Sequence, residues 1–434
     1  MDSSCSFFLP SKIMLAMPCV SRHAHLTMHF MHGNIWFHTF YTCFGSEHPR
    51  CMTRTRRATL AMLFVGLAIF SCLYTTQAML PTLVDQMGLS STQAALTISA
   101  ATGSLAVCVV PASILSERFG RGRLLIISAI AATVLGLVVP LAPNAATLIA
   151  LRGLQGAVMA GAPATAMAWL SEELDAKDLA RAMGLYIAGT SIGGLSGRLI
   201  PTGILEFSSW RWALLGSACV SLLFAAICII LLPAQRNFTP KSIRLGNELR
   251  AIFAHWHNRQ LAPLFLVAFL AMGTFVSMYN FLGFRLIEHF GLAPALAGSV
   301  FLFYLTGTWS SARAGKLVQQ IGHGKTLFAS SLLFTVGIAL CAGPLPVVLV
   351  GIVALTVGFF AAHSTASGWV GHLATHDRAE ASSMYVFCYY FGSSVVGAVA
   401  GLLFDALPWA GFVVVYTGLA VALTVLTLTL RKNE

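Results

Sequence analysis

Two arginines, Arg152 and Arg198, lie inside stretches of sequence that are otherwise apolar. An ionised side chain survives in such a run only where it faces protein or water, so both are candidate functional groups. Each stands about seven residues from the same end of its run, which at about 1.5 Å per residue is a depth of roughly 10 Å. No carboxylate shares that level; Asp85, just past the end of the first run, is the nearest. A guanidinium offers a fixed fork of donors, suited to an anionic or neutral polar ligand; a lipophilic cation would need an acid instead. Tyr74 and Gln77 in the first run, Tyr279 and Asn280 in the seventh, Tyr304 in the eighth, and Tyr389 or Tyr390 in the eleventh could complete a pocket. Taken singly, each of these polar residues also serves for packing. Arg152 has a second reading of its own, as a structural clamp bonded to backbone carbonyls.

Two further sets could move charge. Glu117 stands among Arg118, Arg121 and Arg123, around Gly120, at the end of the second run. Such a cluster can close a gate by pairing with helix ends of the opposite half of the molecule; the plainer reading is a basic turn. Its counterpart at Gln319–Lys325 has no acid, so the latch would be asymmetric. His363 is the histidine well inside a run, and imidazole titrates near neutrality, so it is a candidate proton carrier alongside Asp85 and Glu117.

The elements that must position these groups are apolar runs of membrane-spanning length, about twelve between Ala58 and Leu430. A hydrophobic share of 57% against 9% charged residues over 434 residues does not fit a water-soluble fold. The spans are predicted near 59–82, 93–116, 123–142, 145–169, 183–205 and 211–232, then near 262–286, 295–315, 325–343, 346–370, 382–404 and 409–430. The second six repeat the first. Ser113–Arg123 and Gly315–Lys325 both carry Gly-basic-Gly-basic at the end of a run, and Pro140/Pro143 match Pro344/Pro346 in the turns between third and fourth spans. Small residues recur at every fourth place in the fifth span (Gly189, Gly193, Gly197) and the eleventh (Ser393, Gly397, Gly401), a pattern for close helix packing or for a sliding contact between halves.

The net charge of +11 is topological. Arg54, Arg56 and Arg57, the cluster after the second run, Arg236 to Arg259, Arg313 to Lys325, and Arg431 with Lys432 fall between alternate spans. The opposite loops offer little beyond Arg211 and Arg285. This asymmetry predicts that both ends of the spanning unit face the cytoplasm, and it argues against a nucleic-acid partner. Residues 1–51 hold six of the thirteen histidines and four of the ten cysteines, with no 20-residue apolar run and no cleavable signal pattern. They have no Cys-x-x-Cys pairing that would speak for a metal, and they are expected to be a disordered extension or a start placed too early. Cys72, Cys108, Cys219, Cys228, Cys341 and Cys388 lie in apolar runs, where a thiol acts as a small hydrophobe.

Several motifs in the right order over 52–434 resemble the major facilitator superfamily. Between the second and third spans its signature is approximated with Ser113 and Glu117 in place of Gly and Asp, and with Arg118, Gly120 and Arg121 matching. In the fourth span the family's Arg followed by Gln-Gly appears as Arg152-Gly-Leu-Gln155-Gly156, which adds Gln155 to the candidate binding set. The fifth span resembles the antiporter signature but reads Gly193-Gly194-Leu-Ser-Gly197-Arg198, without its proline. Tyr74-Thr-Thr-Gln77-Ala-Met-Leu-Pro81 is similar to the arabinose-efflux-permease-like and drug:proton antiporter branch.

The expected architecture is therefore an all-α membrane protein with twelve transmembrane helices as two pseudo-symmetric six-helix bundles, 52–232 and 262–434, joined by a cytoplasmic linker, 233–261. A duplicated six-helix unit suits moving a solute by rocking two halves about a central site. The expected function is secondary active transport in a bacterial inner membrane, as proton-coupled efflux of a neutral polar or anionic small molecule by a monomer. No cofactor is implied, no Gly-x-x-x-x-Gly-Lys-Ser/Thr motif for ATP is present, and no nucleophile–base set indicates an enzyme. The alternatives are a proton-coupled uptake permease and, in a different class, a transport-inactive membrane sensor.

Overall fold

The structure, a computed structural model, describes residues 52–238, 240, 255–374 and 378–432. The expectations for 1–51 and for the middle of the 233–261 linker lie outside the described residues.

In lipid a backbone can satisfy its polar groups only within a helix or a closed barrel, so apolar runs of this length become helices. Twelve long helices run through the described residues: α1 (Arg54–Met87), α2 (Ser91–Phe119), α3 (Arg121–Leu141), α4 (Ala145–Glu173), α5 (Ala176–Leu205), α6 (Trp210–Leu231), α7 (Leu261–His289), α8 (Tyr304–Ile321), α9 (His323–Leu340), α10 (Leu345–Leu373), α11 (Arg378–Ala406) and α12 (Trp409–Lys432). Ten are long and apolar enough by themselves to cross a membrane. The other two are α5, which carries Lys177, Asp178, Arg181 and Arg198, and α8, which carries Arg313 and Lys316. The helix ends are set by local chemistry. Ser90 and Gln93 form a reciprocal capping box at the start of α2, and the Asn144 side chain accepts from the Thr147 N–H at the start of α4.

Equivalent helices of the two halves make equivalent contacts. α1 packs on α5 and α6 as α7 packs on α11 and α12, while α4 packs on α2 and α3 as α10 packs on α8 and α9. Across the halves, α2 lies along α11, and α5 lies against residues 294–303, the irregular turns leading into α8. The duplication reaches the backbone. Gly120 between α2 and α3 has φ 99° and Gly322 between α8 and α9 has φ 88°, a conformation that side-chain-bearing residues rarely adopt. Each donates its N–H to the carbonyl four residues earlier, closing the preceding helix identically.

The arginine-bearing loops lie at one end of the spans, here the basic end. The other end, where α1 finishes and α2 begins, is the distal end. Most of α1 is buried among its neighbours.

Candidate functional site

α1 is not continuous. Its regular part stops at Tyr74, a 3-10 turn occupies Gln77–Met79, and a second helical segment runs Leu80–Met87. Pro81 accounts for the break: it has no N–H for the Gln77 carbonyl, and its ring crowds that carbonyl. Helical hydrogen bonding is lost just where Tyr74 and Gln77 project.

Arg152 fills that gap from α4. It is 1% exposed, and its donors go to the carbonyls of Cys72 (2.9 Å), Leu73 and Thr97 (3.2 Å) and to the Gln155 side chain. Gln155 in turn donates to the Ala132 carbonyl at 2.9 Å. The pair therefore ties α1, α2, α3 and α4 together and supplies donors to carbonyls that the broken helix leaves open. A small cavity adjoins it, lined by Cys72, Thr75, Gln155 and residues of α3 and α6.

Arg198 lies at the same distance from the distal end of α5 and is 2% exposed. Its partners are different. Nε donates to the Gln77 side-chain oxygen (2.8 Å), Nη1 to the Gly194 carbonyl, and Nη2 to the Tyr304 hydroxyl (3.2 Å). Three rings surround its carbon Cζ: Tyr74 at 4.0 Å, Tyr304 at 4.5 Å and Phe301 at 5.1 Å from their centroids. Such contacts favour a cation electrostatically without neutralising it. Among the described residues no carboxylate pairs with this guanidinium.

The set spans both halves. Gln77 passes its amide N–H to the Asn280 side-chain oxygen of α7 at 2.8 Å, and Asn280, 1% exposed, keeps its own amide nitrogen without any hydrogen-bond partner. Tyr279 bonds instead to Thr356 of α10 (2.6 Å) and stacks on Phe301. Phe275 stacks on Phe359 at 3.9 Å behind it. The structure thus brings Tyr74, Gln77, Arg198, Asn280 and Tyr304 together. Arg152 and Gln155 share no hydrogen bond with this set; their partners are carbonyls of α1, α2 and α3. Tyr390 is buried on α11 with its ring edge-on to Tyr389.

His363 lies in α10, its Nδ1 2.9 Å from the Tyr385 hydroxyl and its ring 4.5 Å from that of Tyr389. Asp85 is exposed at the distal end. At the basic end Arg121 pairs with Glu117 (3.3 Å), with Glu172 at the end of α4, and with Ser116, all in its own half. Glu173 pairs with Arg54 and accepts from the N–H groups of Arg236 and Asn237, while Gln235 bridges Glu172 and the Gly122 N–H. Glu172 and Glu173 were missed from the sequence, although two adjacent acids closing an apolar run opposite three arginines were the signal. Arg118 is exposed beside its neighbour Phe119.

The two small-residue stripes have different destinations. Gly189, Gly193 and Gly197 lie directly on the α1 backbone at Leu63, Gly66–Leu67 and Ser71, inside one half, the arrangement of the close-packing alternative. Gly397 and Gly401 lie against Ser99 and Thr92 of α2, across the halves.

A profile of the Major Facilitator Superfamily matches residues 61–308 and 284–434. The chain is 36% identical over 360 residues to the uncharacterised transporter YybF of Bacillus subtilis, covering 82% of this chain and 89% of that one. It is 35% identical over 357 residues to the inner membrane transport protein YnfM of Escherichia coli, covering 82% and 86%. Among solved structures, the nucleoside transporter NupG superposes with a TM-score of 0.68 at 14% identity, over 88% of this chain and all of that one.

Proposed function

The chain belongs to the major facilitator superfamily and is a multi-pass membrane transporter, not an enzyme; from that premise we propose that it exports a small anionic or acceptor-rich polar solute, held at Arg198, in exchange for protons. The observation that carries the solute class is Arg198 itself. Its charge is buried at the junction of the halves with only neutral partners, and an unused amide donor of Asn280 closes the same network. An anion entering between them would supply the missing countercharge and accept from both. Arg152, whose donors end on carbonyls, serves as the clamp that keeps the α1 break in shape.

In this reading the bias of the basic loops supports an orientation with both ends of the described unit facing the cytoplasm. The Arg121–Glu117–Glu172 cluster, with Arg118 and Gly120 in the same turn, then acts as a cytoplasmic latch that braces α2, α3 and α4 while the halves rock. His363, bonded to Tyr385 beside the inter-half face, is the proton carrier of this scheme. Imposed proton gradients across proteoliposomes test it: export against a solute gradient should follow the proton gradient and be lost in His363→Gln.

The solute is identified by thermal-shift screening against sugars, amino acids, carboxylates and drugs, and the site by Arg198 variants. Arg198→Lys keeps the charge and loses the fork, so affinity for the stabilising solute should fall about tenfold or more. Arg198→Leu should abolish binding without harming insertion, because the span becomes more apolar. If Arg198→Leu lowers thermal stability and leaves the dissociation constant of the folded fraction unchanged, the arginine is only structural.

A further inference from the structure

Arg285 breaks the charge pattern. It stands at the distal end, where basic residues are sparse, and the sequence alone marks it only as an exception to the bias. In the structure it opens a single π-type turn, Arg285–His289, that ends α7. One extra residue in a helical turn re-aims side chains, and such turns recur at functional sites. The Arg285 Nε is buried with no acceptor, and among the described residues the guanidinium has no ion pair. Phe290 and Trp409 lie near it, at 5.1 and 5.9 Å to their ring centroids. Rings attract the cation but leave its in-plane donors free.

Beside it is a cavity of about 130 Å³. Phe284, Phe404 and Trp409 form its aromatic walls, and Arg285, Glu288 and His289 its polar lining. Glu288 and Arg285 share this cavity without pairing to each other. The cavity therefore presents a cation with open donors and an anion with open acceptors. Its level matters too: it lies where α7 ends and α12 begins with Trp409, and tryptophan is enriched where the ends of membrane spans meet lipid headgroups.

We propose that this cavity binds a zwitterionic phosphodiester, the phosphate oxygens on Arg285 and the adjoining ammonium on Glu288. Arginine suits the phosphate because two N–H groups can meet two oxygens at once. A carboxylate in the same cavity would repel a headgroup that carried phosphate alone, so it selects the zwitterion over a purely anionic neighbour. Phosphatidylethanolamine in the membrane and a water-borne phosphodiester share this chemistry. Occupancy would bridge α7, α11 and α12 at the distal end of the second half, away from Arg198.

The test is native mass spectrometry of the purified, delipidated chain titrated with phosphatidylethanolamine or phosphatidylglycerol, with thermal unfolding as the folding control. The wild type should prefer phosphatidylethanolamine. Arg285→Gln should weaken both lipids about tenfold or more, the scale of a lost charge-assisted bond. Glu288→Gln should keep phosphatidylglycerol binding and erase the preference. Equal affinity of wild type and folded Arg285→Gln overturns the proposal. Should Arg285→Gln not fold, an unchanged preference in Glu288→Gln overturns it instead. Competition with glycerophosphoethanolamine separates the sources: displacement at equal concentration assigns the site to a soluble phosphodiester, and resistance assigns it to lipid.

Discussion

Arg152 and Arg198 carry the same charge at corresponding distances from the distal ends of adjacent helices, and only the acceptors around them differ. Arg152 meets three carbonyls and a glutamine, so ligand could reach it only by breaking the clamp. Arg198 meets a carbonyl, an amide oxygen and a phenol, and two of those partners sit on side chains that can turn away. Arg152→Gln should therefore lower stability by on the order of 2–3 kcal/mol, the scale for losing bonds made by a charged donor. Differential scanning fluorimetry should show that fall while solute affinity changes less than in Arg198→Leu; the reverse order would exchange their roles. The sequence showed both arginines and the aromatic and amide residues that surround one of them. It could not show which carbonyls lie within reach, because that depends on where α1 breaks and how closely α4 approaches it.

At the scale of elements, that break is what makes the site. Pro81 interrupts α1, so Tyr74 and Gln77 turn toward Arg198 while the preceding carbonyls are capped by Arg152. The glycine stripe of α5 then brings α1 close enough for both contacts, since its backbone rests on theirs. Gly193→Leu would drive a side chain into the Gly66–Leu67 backbone and should cost about 1–3 kcal/mol, as overpacking does. Gly184→Leu on the same helix meets open space and should stay within about 0.5 kcal/mol of the parent. Thermal unfolding of the two variants measures the contrast, and equal losses would mean that the stripe is not a packing face. The stripes were legible as every-fourth-residue repeats, and so were all twelve spans. Their destinations were not, since one small-residue pattern serves a permanent seam in α5 and an inter-half seam in α11. The irregular turns before α8 were also read as plain helix, because apolar residues over 295–303 hide the change of winding.

For the whole molecule, contacts that join the halves can be followed among the described residues from the distal end to mid-span. Thr92 of α2 donates its hydroxyl to Asp405 of α11 at 2.8 Å, Ser394 donates to the Ser99 carbonyl at 2.7 Å, and Thr202 of α5 lies against Gly298. Gln77–Asn280 and Arg198–Tyr304 add two bonds at the level of the site, beside the packing of Gly397 and Gly401 on Ser99 and Thr92. Apart from Arg198–Tyr304, the hydrogen bonds among these join neutral groups or one exposed acid and are worth about 1 kcal/mol each net. Bonds of that size can break and reform in a cycle. Rocking of two repeats about a central site requires the distal contacts to part once per turnover. A cysteine pair at Thr92 and Asp405 tests this directly, placed in a background without the native cysteines, of which six are free among the described residues. Bridging the pair with a short thiol-reactive cross-linker should stop solute flux in proteoliposomes, and each single cysteine should transport as its parent does. A cleavable linker should restore flux on reduction, which separates a locked protein from a damaged one. Undiminished flux through fully cross-linked protein would mean that the distal ends stay together and that the solute leaves by another route.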